Sequence, residues 1–168
     1  LDAEGNTAMH NAAKSAARRT LKLLLRHNLD PNALNLAGYS PLHLIIMSNA
    51  VNRDDCTIYM LDHGFDEELL TPDGKTCLLL SVEYGRLTLV QQMLDNHLDP
   101  NQPDNNGLTC LQASCQVGIY SILAMLIHYG ADVNQPGYVG TFPLHDCIST
   151  GQIEFPNLLI SHGAYVNV

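Results

Sequence analysis

The feature that most limits what this chain can fold into is a phrase that recurs at a nearly fixed spacing. Five segments fit its frame, three with a histidine and two without: NTAMHNAA (6–13), YSPLHLII (39–46), KTCLLLSV (75–82), LTCLQASC (108–115) and TFPLHDCI (141–148). A second phrase, HYGADVNQ at 128–135, is echoed at 26–33, 96–103 and 161–168. Aligned on both phrases, successive units begin 33, 36, 33 and 33 residues apart and span 2–34, 35–70, 71–103, 104–136 and 137–168. Such a period indicates a repeat protein built from small supersecondary units.

Each repeat contains the signals for a turn followed by two short helices. The turns are tetrapeptides rich in residues that tolerate positive φ, such as NLAG (35–38), TPDG (71–74) and DNNG (104–107). A hydroxyl side chain then stands where it can cap the first helix, at Thr7, Ser40, Thr76 and Thr109. The second helix is expected to end in the left-handed conformation at Gly64, Gly130 and Gly163, with Asn28 and His97 in the same place elsewhere.

Phrase and period together resemble the ankyrin repeat family over essentially the whole chain. The resemblance implies an all-α fold, an ankyrin repeat solenoid of five stacked helix-turn-helix units with β-hairpin-like connecting loops, in a single domain over 1–168. The segments NGLTCLQAS (106–114) and GADVNQ (130–135), with the overall acidity, are also similar to inhibitor-of-kappaB-type ankyrin domains. Because the first residue is Leu1 and not Met, we expect a fragment of a longer chain.

One helix pair cannot bury its apolar face alone, so stacked pairs should share a continuous core. The spacing of apolar residues predicts that this core contains Leu42, Ile45, Ile46, Leu78, Val82, Leu89, Val90, Leu94, Leu111, Ala113, Ile122, Leu126, Leu144 and Leu159.

Two repeats depart from the pattern. The three extra residues of repeat 2 are placed in the polar segment 49–55, between its helices. In repeat 5, Phe142 stands where a hydroxyl residue should cap the first helix, and Pro156 lies early in the second. Because proline is tolerated only in a first turn, that helix is expected to start late or bend.

The repeated histidine of the first phrase is interpreted as structural. His43 has equivalents at His10 and His145, one in each of their repeats. Packed helices lie about 8–10 Å apart, which is too far for neighbouring equivalents to share one metal ion. The resemblance implies instead that this histidine bonds backbone groups between adjacent repeats.

Charge and composition exclude several classes of function. The net charge is −9, and no Lys or Arg follows Arg86, against six acidic residues from Leu87 onward. Nucleic acid binding requires many cations, and beyond repeat 1 this chain has only Arg53, Lys75 and Arg86, so a neutral to basic protein or peptide is the expected partner. We find no apolar run long enough for a membrane span, and no motif for a metal, a cofactor, a small-molecule substrate or catalysis. The predicted protein is therefore not an enzyme.

The five cysteines are scattered and contain no CxxC motif, which favours reduced thiols and a cytoplasmic or nuclear location. Cys115 and Cys147 occupy small-residue positions of the first helix and are expected to be buried, inert thiols. Cys77 and Cys110 lie at equivalent positions one repeat apart, too far from each other for a disulfide.

The resemblance also implies a partner-binding face, lined by hairpin tips and by exposed positions of each short first helix. Carried over to this sequence, the predicted contact residues are Leu36, Tyr39, Met47, Asp73, Lys75, Glu83, Tyr84, Leu108, Val117, Tyr138 and Val139, with Glu4 and Lys14 at the N-terminal side. Eight of these thirteen are apolar or aromatic, which is typical of an interaction site. We therefore expect a non-catalytic interaction module of an adaptor, scaffold or inhibitor. Two alternatives remain open: a regulatory segment of a larger enzyme, such as a ubiquitin ligase substrate receptor, or a structural spacer.

One modification is also implied by resemblance. In LIHYGADVN (126–134) a leucine precedes Asn134 by eight residues, as in the sites of a 2-oxoglutarate-dependent asparaginyl hydroxylase. Asn32, with Leu24 eight residues before it, is the second candidate. Independently of modification, Asn134 is expected to stabilise its turn through bonds from its side chain to the backbone.

Overall fold

The computed structural model describes residues 1–137, 140–151 and 153–166. Within these ranges there are ten α-helices and no strands. The helices come in five pairs, one in each predicted repeat: α1 (Ala8–Lys14) and α2 (Arg18–Arg26), α3 (Pro41–Met47) and α4 (Arg53–Leu61), α5 (Cys77–Glu83) and α6 (Leu87–Asp95), α7 (Cys110–Val117) and α8 (Tyr120–His128), α9 (Pro143–Ser149) and α10 (Glu154–Ser161). The predicted all-α class is confirmed.

The chain divides into two compact units, Leu1–Pro72 and Asp73–Val168, called unit 1 and unit 2 below. In unit 1 the short helices α1 and α3 pack together, and each also packs on the longer helix of its own pair. In unit 2 the short helices α5, α7 and α9 pack in chain order, and α6, α8 and α10 do the same. Pairs therefore stack in sequence within each unit, while the single-domain organisation of the whole chain stays a prediction.

The predicted core is confirmed. All fourteen of its residues are buried, and Leu144 is the most exposed of them at 6%. The stacking explains why, since a short helix such as α7 contacts α5 on one side and α9 on the other and has little surface left for water.

Four of the five short helices begin directly after the predicted hydroxyl residue. The side-chain oxygens of Thr7, Ser40, Thr76 and Thr109 accept the backbone N–H three residues further on, at 3.4, 3.3, 3.0 and 3.3 Å. Phe142 has no oxygen for this bond, so α9 lacks the cap that the other short helices share. The second helices end as predicted, with positive φ at Gly64, Gly130, Gly163, Asn28 and His97.

The repeated histidine completes the cap and joins it to the next connecting loop. The Ser40 N–H donates to His43 Nδ1 at 3.0 Å, so the ring proton lies on Nε2, which donates to the Leu69 carbonyl at 3.0 Å. His10 forms the corresponding cap bond with Thr7, and its Nε2 donates to the Tyr39 carbonyl of repeat 2. Leu69 still belongs to repeat 2, so the bond of His43 joins its helix to the loop that leads into repeat 3. Both rings are fully buried. The structural role predicted for His43 is confirmed, and the bond between adjacent repeats is seen for His10.

Repeat 4 achieves the same connection with a different side chain. The Thr109 N–H donates to Gln112 Oε1 at 3.5 Å, and Gln112 Nε2 donates to the Thr141 carbonyl at 3.1 Å. An amide presents one acceptor and one donor, as does a neutral imidazole. The sequence alone shows only that repeat 4 has no histidine at this position.

The connecting loops behave as the predicted hairpins. In unit 2 the Asp104 N–H donates to the Leu108 carbonyl at 3.0 Å, which closes one hairpin. The Asn105 N–H donates to the Asp73 carbonyl at 3.0 Å, which joins it to the hairpin before it. In unit 1, Leu36 N–H and the Glu4 carbonyl make the corresponding bond between hairpins.

The two departures from the repeat pattern are resolved as follows. Five residues, 48–52, separate α3 from α4, compared with three between α5 and α6, so two of the extra residues lie in the predicted segment. The third lies in 62–76, which is one residue longer than the corresponding loop 96–109. Helix α10 begins at Glu154, so Pro156 falls in its first turn, where no helical N–H bond is lost. The late start predicted for this helix is confirmed.

The prediction for Cys115 and Cys147 was wrong, because the structure joins them in a disulfide. The two residues are 32 positions apart, one less than the repeat period of 33, so they do not occupy equivalent positions in α7 and α9. These two helices pack against each other, and the Cα atoms of the two cysteines are 4.9 Å apart. That separation lies in the range of natural disulfides. Cys77 and Cys110 are buried and reduced, as expected. Burial, with the nearby charges of Asp99 and Glu83, raises the pKa of the Cys110 thiol to about 12.

Candidate protein-interaction surface

In unit 2 the structure brings together side chains from two neighbouring repeats at equivalent positions. Lys75 and Leu108 occupy corresponding places in consecutive hairpins, and Glu83 and Gln116 correspond in α5 and α7. We call Lys75, Glu83, Tyr84, Leu108 and Gln116 the unit 2 contact surface. Four of the five were predicted as contact residues.

A shallow cavity of about 400 Å³ opens on this surface. Its lining consists of Lys75, Asp104, Asn106, Leu108 and Gln116. The Asp104 carboxylate is occupied by the turn itself, because Oδ1 accepts the N–H groups of Asn106 and Leu108 at 2.9 and 2.8 Å. The cavity therefore exposes one cation, neutral amides and an apolar side chain.

The cation is held in place by carboxylates. Lys75 Nζ lies 2.8 Å from Glu83 Oε1 and 3.4 Å from Asp73 Oδ2. Burial lowers the pKa of the Lys75 ammonium, but the hydrogen bond to Glu83 and the charges of Glu83 and Asp73 outweigh that effect, so the net pKa is raised. Lys75 is therefore fully charged at neutral pH, and its two carboxylate neighbours leave the cluster with a net negative charge.

Tyr84 adds an aromatic side chain at the end of α5. It is 41% exposed, and the Arg86 guanidinium lies 5.6 Å from the centre of its ring. A cation over the face of a ring restricts the ring's motion and leaves its edge for other contacts. Val117, the equivalent residue one repeat later, is half-buried and sits near Gly85.

The other predicted residues have varied outcomes. In unit 1, Leu36 is 81% exposed, while Tyr39 and Met47 are half-buried. The Tyr39 ring packs edge-on against His43, with 6.2 Å between ring centres. Tyr138 and Val139 lie outside the described residues. The predicted contact residues are divided between unit 1 and unit 2. A continuous contact strip through all five repeats stays a prediction.

Three residues of the cavity, Asp104, Asn106 and Gln116, were missing from the sequence prediction. Gln116 could have been found, because it lies 33 residues after Glu83, which was predicted. Asp104 and Asn106 are part of the turn tetrapeptide DNNG and were assigned only to the turn.

The asparagines considered for hydroxylation connect adjacent repeats. Asn134 Nδ2 donates to the Gly163 carbonyl at 2.9 Å, and its Oδ1 accepts the Tyr165 N–H at 2.8 Å. Asn32 forms the same bonds with Gly64 and Asp66. Asn101 repeats the arrangement with Gly130 and Asp132. The Asn134 side chain bonds backbone groups as predicted, but these groups belong to the loop of the next repeat. Within its own turn, the Asp132 carboxylate accepts the Asn134 N–H at 2.8 Å.

Across residues 1–137, 140–151 and 153–166, no group of three or more His, Cys, Asp or Glu side chains is placed to share a metal ion. Nor does the described part of the chain contain a helix with the length and apolar character needed to cross a membrane.

Comparison with known proteins agrees with this architecture. A family model of ankyrin repeats in three copies matches residues 47–137 and 78–168, and a single-repeat ankyrin model matches 4–33. The putative ankyrin repeat protein R96 of Acanthamoeba polyphaga mimivirus is 45% identical over 56 residues, which are 33% of this chain and 5% of that protein. The putative ankyrin repeat protein FPV031 of Fowlpox virus (strain NVSL) is 44% identical over 46 residues, 27% of this chain and 14% of that protein.

The chain thus spans only a small part of the length of these curated relatives. A special likeness to inhibitor-of-kappaB proteins is not supported by these matches and stays a hypothesis. The family models, in contrast, account for nearly every residue outside the first few and the segment 34–46. This chain belongs to the ankyrin repeat family, whose repeats are generally non-catalytic protein-interaction modules.

Proposed function

We propose that this chain is a non-catalytic interaction module of an adaptor, scaffold or inhibitor. Its unit 2 contact surface binds a neutral to basic segment of a partner protein. The observation that carries the proposal is the cavity between the hairpins and short helices of repeats 3 and 4. A concave site lined by an apolar side chain and a few polar groups is the usual form of a pocket that receives a partner's side chain.

The charge of unit 2 supports a basic partner. Residues 73–168 contain two cationic side chains, Lys75 and Arg86, and eight Asp or Glu, which leaves a net charge of −6. Lys75 is already neutralised by Glu83 and Asp73. An acidic segment or a nucleic acid would meet repulsion without a compensating cation, whereas Lys or Arg side chains would be attracted.

Affinity would come mainly from Leu108 and Tyr84. Leu108 is half-buried at the cavity and can be covered completely by a partner, and tyrosine is a frequent anchor at interfaces. Fully burying a large apolar side chain is worth about 1.5–3 kcal/mol, and about half of that when it is already half-buried. An Asp or Ser in its place also puts a polar group without a partner into the contact, at a cost of about 1–3 kcal/mol, so the total change in affinity is about tenfold or larger.

Selection from a random peptide library displayed on phage tests the proposal on the full chain. We expect the selected peptides to be neutral or positively charged. Their binding should weaken at least tenfold in the variants Leu108→Asp and Tyr84→Ser. The matched control is Leu87→Ser, because Leu87 is 40% exposed on α6 and Tyr84 is 41% exposed on α5.

Circular dichroism of each variant shows whether the repeats remain folded. Selection of acidic peptides would refute the charge argument. Equal loss of binding in Leu87→Ser and in the two surface variants would show that the unit 2 contact surface is not the binding site.

A further inference from the structure

The second helix of unit 1 concentrates positive charge in a way that no other described helix does. Helix α2 contains Arg18, Arg19, Lys22 and Arg26, all exposed, and no Asp or Glu occurs between Gly5 and Leu29. The equivalent helices α6 and α8 have no Lys or Arg, and they also expose side chains to water, among them Thr88, Tyr120 and Ser121. Contact with water therefore does not by itself require the excess of Lys and Arg on α2. The excess is also opposite in sign to the charge of the whole chain, which is −9.

The cations form a stripe and not a ring. Arg19, Lys22, Leu23 and Arg26 follow the spacing i, i+3, i+4, i+7 and so occupy one face of the helix, about 10 Å long. Leu21 points the opposite way and is fully buried. Leu23, in the middle of the stripe, is 54% exposed. The face is thus basic with an apolar centre, and we call these four residues the α2 stripe.

The cations of the stripe are not used by the fold. No ion pair of the described residues includes Arg19, Lys22 or Arg26. Arg18, just outside the stripe, differs, because its guanidinium lies 4.7 Å from the centre of the Tyr59 ring. Arg18 therefore has a structural contact, while the three cations of the stripe face solvent.

We propose that the α2 stripe binds an acidic protein segment. Carboxylates of this segment pair with Arg19, Lys22 and Arg26, and one of its apolar side chains covers Leu23. Arginine forks match carboxylates in bidentate pairs, which gives the contact geometric specificity. This inference goes beyond the proposed function, since its partner is opposite in charge to that of the unit 2 contact surface.

A nucleic acid fits this face less well than a protein. Unit 1 has six Lys or Arg against nine Asp or Glu, a net charge of −3, so a long polyanion is repelled beyond the stripe. Three cations also release few counterions from a phosphate backbone. The exposed Leu23 finds no apolar partner on phosphates but does find one on a peptide.

Fluorescence anisotropy with the full chain tests the proposal. The probe is a labelled peptide of about 14 residues in which glutamates spaced three and four apart surround one leucine, the repeat of a helix face. Its comparison probes are the same peptide with glutamine for glutamate, the same peptide with serine for leucine, and an oligothymidylate of equal length. We expect the acidic peptide to bind at least tenfold tighter than each of the three.

The protein variants separate the stripe from general attraction. The triple variant Arg19→Glu, Lys22→Glu, Arg26→Glu should weaken binding of the acidic peptide more than tenfold, and Leu23→Ser about fivefold without a change of charge. Lys22→Gln is compared with Thr20→Glu, an exposed residue of α2 outside the stripe, because each substitution lowers the charge by one. We expect the Thr20 variant to lose less than twofold and the Lys22 variant to lose more. Circular dichroism checks that each variant keeps its helix content.

Three results would overturn the proposal. One is equal loss in Thr20→Glu and Lys22→Gln, which means unspecific attraction. Another is unchanged affinity in Leu23→Ser, and the third is oligothymidylate binding as tightly as the acidic peptide. None of these outcomes bears on the unit 2 contact surface, whose test uses other peptides and other variants.

Discussion

Removing the disulfide between Cys115 and Cys147 should loosen repeat 5 selectively. The bond joins α7 to α9 across a sequence separation of 32 residues. The chain-entropy relation for a closed loop of this length gives about 4 kcal/mol of stabilisation at 25 °C. A domain of this size is stable by only about 5–15 kcal/mol, so the bond is a large contribution. The loss should be concentrated in repeat 5.

Repeat 5 is also the repeat with the fewest other supports. Helix α9 lacks at Phe142 the side-chain cap that the other short helices have. His145 is exposed, whereas the equivalent rings of His10 and His43 are fully buried. We therefore expect the amides of α9 and α10 to exchange faster than those of α7 and α8 even in the oxidised protein.

Hydrogen exchange with and without reductant measures the effect. If about 4 kcal/mol is lost locally, exchange of the α9 and α10 amides should accelerate by a few hundredfold, since about 1.4 kcal/mol is a factor of ten. The amides of α7 and α8 should change much less. The double variant Cys115→Ala, Cys147→Ala should resemble the reduced protein and should not respond to reductant.

Alkylation provides the chemical control. With the chain unfolded but not reduced, three cysteines should react, namely Cys56, Cys77 and Cys110. Five reactive thiols would show that the bond is not formed. If reductant accelerates exchange equally in the natural chain and in the double variant, the assignment of this stability to the disulfide is wrong.

Three further predictions concern the bonds between repeats and the core. Replacing His43 with Ala should lower the free energy of unfolding by about 1–3 kcal/mol for each buried backbone group left unpaired. The variant His43→Gln should lose less, because Gln112 bonds both a cap N–H and a loop carbonyl in repeat 4. Equal losses of the two variants in urea unfolding would refute this. Leu126→Ala should lower the free energy of unfolding by about 2–5 kcal/mol in the same assay. The exposed control Leu87→Ala should change it by no more than about 0.5 kcal/mol. Asn134, in preference to Asn32, should gain one oxygen when the chain is incubated with the asparaginyl hydroxylase. The gain should be greater after reduction, since the bonds of Asn134 to Gly163 and Tyr165 must open first. No gain beside a fully modified control ankyrin domain would remove the proposal.

The sequence by itself determined the repeat, its helices and its core. The reason is that these features depend on local order within a repeat of about 33 residues: a hydroxyl residue before four of the five short helices, apolar residues at helical spacing, and a residue with positive φ after each second helix. The structural role of His43 also follows, because its recurrence in three repeats argues against a unique site.

Only the tertiary structure decided which side chains from different repeats meet. The pairing of Cys115 with Cys147 depends on how closely α7 and α9 pack. Aligning the repeats does not reveal it, because the two cysteines are 32 residues apart and so are not at equivalent positions of a 33-residue repeat. In the same way, the cavity of unit 2 depends on Lys75 being held by Glu83 while Gln116 lies across from it. A repeat pattern specifies the positions that face a neighbour, but the contacts formed depend on side-chain lengths and distances of a few ångströms, which periodicity does not contain.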